Sequence, residues 1–170
     1  MRSFLSICAI FLSCALYGQS KDDCLYVFYD VDSNYCGYLN AAGDTIIGPD
    51  NVACYDDTIC SYGVVITRFA EAMAFNEKGE FLYDIFWFDN GPDYIEDGMF
   101  RIIKEGKIGY ANKVGEVIIE PTYKCAWPFE DGIAQVAYEC KKIQFDEEHW
   151  GWESDEWFYI NKKGEIVEGK

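Results

Sequence analysis

IGYANKVGEVIIEPTYKCAWPFEDGIAQV, residues 108–136, is the stretch whose reading decides the fold. Its centre, Asn112-Lys113-Val114-Gly115, separates two runs rich in β-branched and aromatic residues. An Asn that opens a type I turn accepts backbone N–H groups on its side chain, and a Gly three residues on takes the left-handed conformation that closes the turn. Together with the apolar flanks this is a β-hairpin signal. Pro121 is expected to end the second strand, because it has no N–H for a ladder. Tyr123 and Phe129 are expected to bury their rings under the connection, and Asp131-Gly132 to turn the chain into a third strand over residues 133–138.

The same turn recurs as Asn40-Ala41-Ala42-Gly43, Asn76-Glu77-Lys78-Gly79 and Asn161-Lys162-Lys163-Gly164, with Asn spacings of 36, 36 and 49 residues. A fixed period of this size marks a repeat architecture. Copies fall near residues 36–66, 73–102, 108–138 and 157–170. The second is divergent, and the fourth is preceded by 13 extra residues (49 − 36) around 142–154. The expected fold is therefore all-β: about three and a half three-stranded repeats in a twisted antiparallel array. Only residues 67–75 carry a helical signal, and they run straight into a repeat.

Composition narrows the function classes. The 170 residues are 50% hydrophobic and 18% aromatic, which suits a folded β domain. A net charge of −16 disfavours binding to phosphate backbones and to anionic membrane surfaces, so no nucleic-acid partner is expected. Arg2 followed by apolar residues 4–16 reads as a secretory signal over residues 1–18. Cys14 follows Phe11-Leu12-Ser13, a poor lipobox, so cleavage is expected in preference to a lipid anchor at Cys14. No stretch has the length of a transmembrane helix. Export would place the body, residues 24–170, in the periplasm, at the cell surface or outside the cell. Six cysteines lie in that body, an even number that fits disulfides in an oxidising compartment. Fifteen pairings are open to them; Cys54 with Cys60 and Cys125 with Cys140 are the local candidates. No Cys-x-x-Cys half-site for zinc occurs.

Candidate chemistry is sparse. Asp30, Asp32 and Asn34 sit at calcium-loop spacing, but Tyr35 and Ala41 replace the Gly and the acidic ligand, and turn chemistry accounts for them. His149, the single histidine, lies in the acidic run Asp146-Glu147-Glu148 and is expected on an exposed loop. Paired carboxylates or a metal on that loop would support a secreted hydrolase; with 30 acidic residues such pairs also arise by chance. Two aromatic clusters, around Trp87 and around Trp150 and Trp152, could stack on a sugar or anchor a protein.

At these residues the chain resembles the WG-repeat family of bacteria. Gly109, Tyr110, Asn112, Gly115, Glu116, Ile118, Pro121, Tyr123, Phe129, Gly132, Ala134 and Val136 match the family unit. Its name-giving Trp-Gly pair is replaced by Cys36-Gly37, Met73-Ala74, Ile108-Gly109 and Trp157-Phe158, while Trp150-Gly151 is a literal match out of place. The resemblance implies no catalytic residues and no cofactor. The expectation is a non-enzymatic exported module that binds a protein or glycan, or serves as an envelope component, with Trp87, Trp150 and Trp152 as candidate partner-binding side chains.

Overall fold

The computed structural model describes residues 23–168 apart from 89, 147 and 148. Residues 1–18, expected to be a secretory signal, and Cys14 within them lie outside the described residues. The strands fall into triplets. The first is β1 (Leu25–Tyr29), β2 (Cys36–Leu39) and β3 (Thr45–Cys54), followed by a short β4 (Thr58–Ile59). The second is β5 (Tyr62–Thr67), β6 (Ala72–Asn76) and β7 (Phe81–Ile85), followed by a small hairpin of β8 (Trp87–Phe88) and β9 (Gly91–Pro92). The third is β10 (Met99–Lys104), β11 (Lys107–Asn112) and β12 (Val117–Tyr123), followed by β13 (Cys125–Ala126). The fourth joins β14 (Ile133–Ala137) to β17 (Phe158–Asn161) and β18 (Ile166–Val167); between β14 and β17 stands a hairpin of β15 (Lys141–Gln144) and β16 (Trp150–Glu153).

The expected antiparallel all-β array is present, with two refinements. Strands of the first three triplets form one open ten-stranded sheet, in the order β4-β1-β2-β3-β5-β6-β7-β10-β11-β12. The fourth triplet forms a separate sheet, β13-β14-β17-β18. Each structural unit also starts one strand before the sequence repeat. The 13 extra residues become the β15–β16 hairpin, set between the first and second strands of the last unit.

The repeated turn is built as its residues require. Asn112 Oδ1 accepts the N–H groups of Val114 (3.0 Å) and Glu116 (3.1 Å), and Gly115 sits at φ +83°. Asn112 Nδ2 also donates to the Glu116 carboxylate at 2.8 Å, which explains why an acidic residue follows the glycine. Asn40, Asn76 and Asn161 repeat every one of these bonds. The helical signal over residues 67–75 is overturned. Thr67 there takes the place of Asn, its Oγ1 accepting from Phe69 and Glu71 at 3.3 Å, and Ala70 takes the left-handed place at φ +60°. A hydroxyl offers the same acceptor as an amide oxygen, so a fifth such turn was hidden in the sequence.

Pro121 does not end its strand; β12 continues to Tyr123. The ladder accommodates it by a bulge, pairing Tyr110 with Ile119 and then Ile108 with Tyr123. Gly109 lies opposite the bulge, where a Cβ would stand 2.4 Å from the Ile119 carbonyl oxygen and 2.6 Å from the Pro121 nitrogen. Gly37 stands in the same relation to β3, which passes through Pro49 with its own bulge. The second unit has neither proline nor bulge at this place, since Met73 pairs regularly with Asp84, and it tolerates Met73 where the first and third units need glycine; the pair in register with Cys36-Gly37 is thus Ala72-Met73 and not Met73-Ala74. The glycine of the repeat is therefore a consequence of the proline-bearing bulge.

Three core clusters each straddle two units. Leu25, Tyr38, Ile47 and Ile59 are joined by Val65; Ala74, Tyr83 and Ile85 by Phe100 and Ala111; Tyr110, Ile119 and Tyr123 by Ala134, Val136 and Ile160. The turn of one unit lies on the third strand of the unit before. Gly79 faces Ile46 and Ile47, Gly164 faces Ile119, and Gly115 faces the Tyr62 ring while its carbonyl accepts the Tyr83 hydroxyl at 2.7 Å. Tyr123 and Phe129 are buried as expected.

Disulfides join Cys24 to Cys60, Cys36 to Cys54, and Cys125 to Cys140. The last pair agrees with the local candidate; the Cys54–Cys60 pairing is overturned. Cys54 ends β3, whose ladder partner β2 brings Cys36 to it, while Cys60 follows β4, the edge partner of β1 next to Cys24. Strand pairing, not proximity in sequence, selects the bonds.

Two outcomes check this description. Gly109→Ala should destabilise the protein by about 2–4 kcal/mol, since the methyl meets backbone on a closed bulge, and Gly132→Ala by about 1–2 kcal/mol, since its φ of +87° is strained but the space is open; denaturant unfolding separates them. Burial pushes the phenols of Tyr38, Tyr83 and Tyr110 well above their usual range near 10. The native state therefore holds these protons longer than the unfolded chain does, so stability is complete below pH 10 and falls as pH rises beyond it. The phenolate absorbance of these rings should appear in one step with the loss of strand signal.

Candidate functional site

Two clefts form where the connections between units meet the sheets. The first has a volume of about 490 Å³. Tyr55 and Asp56 leave β3 on one side, Tyr62 and Val64 follow on β5, Ile85 and Phe100 add apolar surface, and residues 90–95 supply the opposite wall. The second, of about 600 Å³, is lined by Trp127, Pro128, Phe129, Ile133, Gln135 and Tyr159, with Glu96 and Glu130 at its edge. The repeat relates them. Tyr55, Asp56, Tyr62 and Val64 correspond to Trp127, Pro128, Ile133 and Gln135, two units later.

The intervening unit is closed by a buried ion pair. Arg101 occupies on β10 the place held by Val64 on β5 and Gln135 on β14. Its guanidinium grips both oxygens of Asp93, with Nε to Oδ2 at 2.9 Å, and Nη1 donates to the Ala126 carbonyl at 3.1 Å. The Arg101 N–H also donates to Asp93 at 2.8 Å. Side chains of the pair are 1% and 2% exposed. Phe86 and Phe88 stack on the guanidinium at 4.1 and 5.4 Å. Such a pair is tolerable in the interior because each guanidinium nitrogen and each carboxylate oxygen has a partner.

The pair also replaces a tyrosine. In the first unit the Tyr38 hydroxyl donates to the Asp56 carbonyl, and in the third the Tyr110 hydroxyl to the Trp127 carbonyl, both at 2.7 Å. Each tethers the connection that follows its unit. The second unit has Ala74 at that place, and its connection is held by Asp93 on Arg101 instead. The first cleft opens over this divergent unit.

Trp87, Trp150 and Trp152 are half-buried, and none lines either of these two clefts. Trp87 pairs with Pro92 in the small hairpin that walls the first cleft and packs on the second core cluster. Trp152 stands behind the second cleft, 5.2 Å from the Trp127 ring and 5.7 Å from Phe86. Trp150 meets Trp152 edge to face at 5.5 Å and carries the Lys142 ammonium at 4.2 Å. Arg101, Phe86, Trp152 and Trp127 thus form one continuous run of contacts, the rings meeting edge to face. The literal Trp150-Gly151 pair belongs to the inserted hairpin and to no repeat.

His149 is exposed and its Nδ1 meets Asp146 at 2.8 Å; it lines neither cleft. No group of three metal-ligating side chains comes together among the described residues. Asp30 accepts the N–H and hydroxyl of Ser33, bonds that hold its carboxyl below the usual range and make it a turn residue. Sequence reading missed Tyr55, Tyr62 and Tyr94. The signal for the first two lay in the 72-residue correspondence of Tyr55-Asp56 with Trp127-Pro128, outside the best-matched markers.

These features define an all-β protein of stacked three-stranded units, joined by connections that carry its clefts. Residues 108–139 match the family model described as WG containing repeat. Comparison with curated proteins and with solved structures found no match.

Arg101→Met should cost about 3–5 kcal/mol in urea unfolding, because it strands a buried Asp93. Adding Asp93→Asn should recover part of that loss; an unchanged or larger loss would assign the stability to the guanidinium stacking on Phe86.

Proposed function

We propose that this repeat protein is a non-enzymatic, exported module that binds a protein or a glycan in its inter-unit clefts. One observation carries the reading: two ring-lined concavities recur at the same place in the repeat. Concave, largely apolar sites with a few polar groups are where ligands bind. The rings of Tyr55 and Tyr94 are more than half exposed at the first cleft, so they present large contact surfaces at small entropic cost.

The non-enzymatic part is supported by how the polar groups are used. Asp93 gives both carboxylate oxygens to Arg101, which leaves Asp56 without a second available carboxylate in the first cleft. His149 stands apart on its hairpin. Export is supported by the three disulfides, which fit an oxidising compartment. None of the described helices is long and apolar enough to cross a membrane.

The test is binding by the purified, disulfide-bonded protein to arrays of extracellular proteins and glycans. Tyr55→Ala and Tyr94→Ala should each weaken the captured ligand by about tenfold or more, as expected for ring anchors, without changing the unfolding midpoint. Trp87→Ala, Trp150→Ala and Trp152→Ala form the second arm. Loss of binding in these variants alone, with native stability, would move the site to the tryptophans. Turnover of the bound ligand, abolished by His149→Ala or Glu130→Gln, would replace the binding reading by a hydrolase.

A further inference from the structure

Among the described residues, every charged side chain lining the two clefts is acidic: Asp56 and Asp93 in the first, Glu96 and Glu130 in the second. Arg101 neutralises Asp93, and among the described residues none of the other three forms an ion pair. Asp56 Oδ2 accepts the Val64 N–H at 3.1 Å, and its other oxygen takes no hydrogen bond from the described residues. Ionised carboxylates only accept hydrogen bonds, so the matching ligand group is a donor, and a positively charged donor makes the stronger bond. Ring faces favour the same charge, and both clefts present them. The apolar floor of Val64, Ile85 and Phe100 suits the methylene stem of a long basic side chain.

The clefts also adjoin. Residues 90–95 wall the first, and the next residue, Glu96, stands at the edge of the second. A neutral glycan could donate its hydroxyls to these carboxylates but would leave their charge uncompensated, so a cationic donor is favoured over it. The net charge of −16 adds long-range attraction for a cation.

We infer that the two clefts together receive one extended basic peptide, with a lysine or arginine side chain at Asp56 and a second at Glu96 and Glu130. This rests on the cleft-binding reading and names its ligand class.

The probes are acetylated, amidated peptides with a lysine at each end and a Gly/Ser spacer of about two to eight residues. Controls carry norleucine in place of one or both lysines. Binding is followed by isothermal titration and by amide chemical shifts of the labelled protein. The two-lysine peptide of matching spacer should bind about tenfold or more tighter than either one-lysine form, because the second contact is intramolecular. It should shift amides around Asp56 and around Glu130 together. Asp56→Asn and Glu130→Gln should each reduce it to the one-lysine level, and raising salt from roughly 0.05 to 0.3 M should weaken it severalfold. Norleucine peptides binding equally well would overturn the charge argument. Shifts confined to one cleft at every spacer length would overturn the shared occupancy. A neutral oligosaccharide such as maltohexaose shifting the clefts while the lysine peptides do not would overturn the peptide assignment and leave the binding reading standing. No shift at either cleft with the lysine peptides overturns this inference; failure of the protein and glycan arrays as well overturns both.

Discussion

The structure depends on one recurring contact, the seat of a turn on the third strand of the unit before it. Gly79 on Ile46 and Ile47, Gly115 on Tyr62 and Tyr83, and Gly164 on Ile119 are versions of it. A three-stranded sheet this small cannot shield its own apolar face. Here each face is shielded by the next unit, which is why all three core clusters contain residues from two units. The Asn side chain keeps the turn rigid enough to serve as that seat, by satisfying two N–H groups that would otherwise face solvent or apolar surface.

The same economy explains the variation between units. In the first and third units a tyrosine stands opposite an isoleucine, Tyr38 on Ile47 and Tyr110 on Ile119. In the second the large residue has crossed the ladder, with Ala74 opposite Tyr83. Volume is roughly conserved, but the hydroxyl now reaches the next turn and not the following connection. That connection is held by Asp93 on Arg101, and the positions that form a cleft in the second and fourth units are plugged in the third. The clefts are by-products of how each connection is tethered.

Much of this was legible in the sequence. Strict recurrence of Asn, Gly and an acidic residue gave away the hairpins, because a turn of this type admits few side chains at those places. Pro121 misled, because a proline at a bulge and a proline at a strand end look alike until the facing glycine is known. Thr67 hid a turn, because a hydroxyl is also at home in a helix. Cys54 was matched to its neighbour Cys60 because loop closure is local in sequence, whereas sheet pairing is not. Trp87, Trp150 and Trp152 drew attention as large rings; of the rings that line the two clefts, the most exposed are Tyr55 and Tyr94, and exposure follows from packing and not from size.

By itself the sequence determined the all-β repeat, its period, its turns and the place of its insertion, since these rest on backbone preferences local to a few residues. Only the tertiary structure decided which cysteines meet, where the array splits into two sheets and which unit is sealed by Arg101 and Asp93. It alone decided that Asp56, Glu96 and Glu130 border adjoining clefts. Those facts depend on strand pairing and on contacts between units, such as Cys24 with Cys60 and the Arg101 guanidinium with the Ala126 carbonyl, and not on backbone preferences local to a few residues.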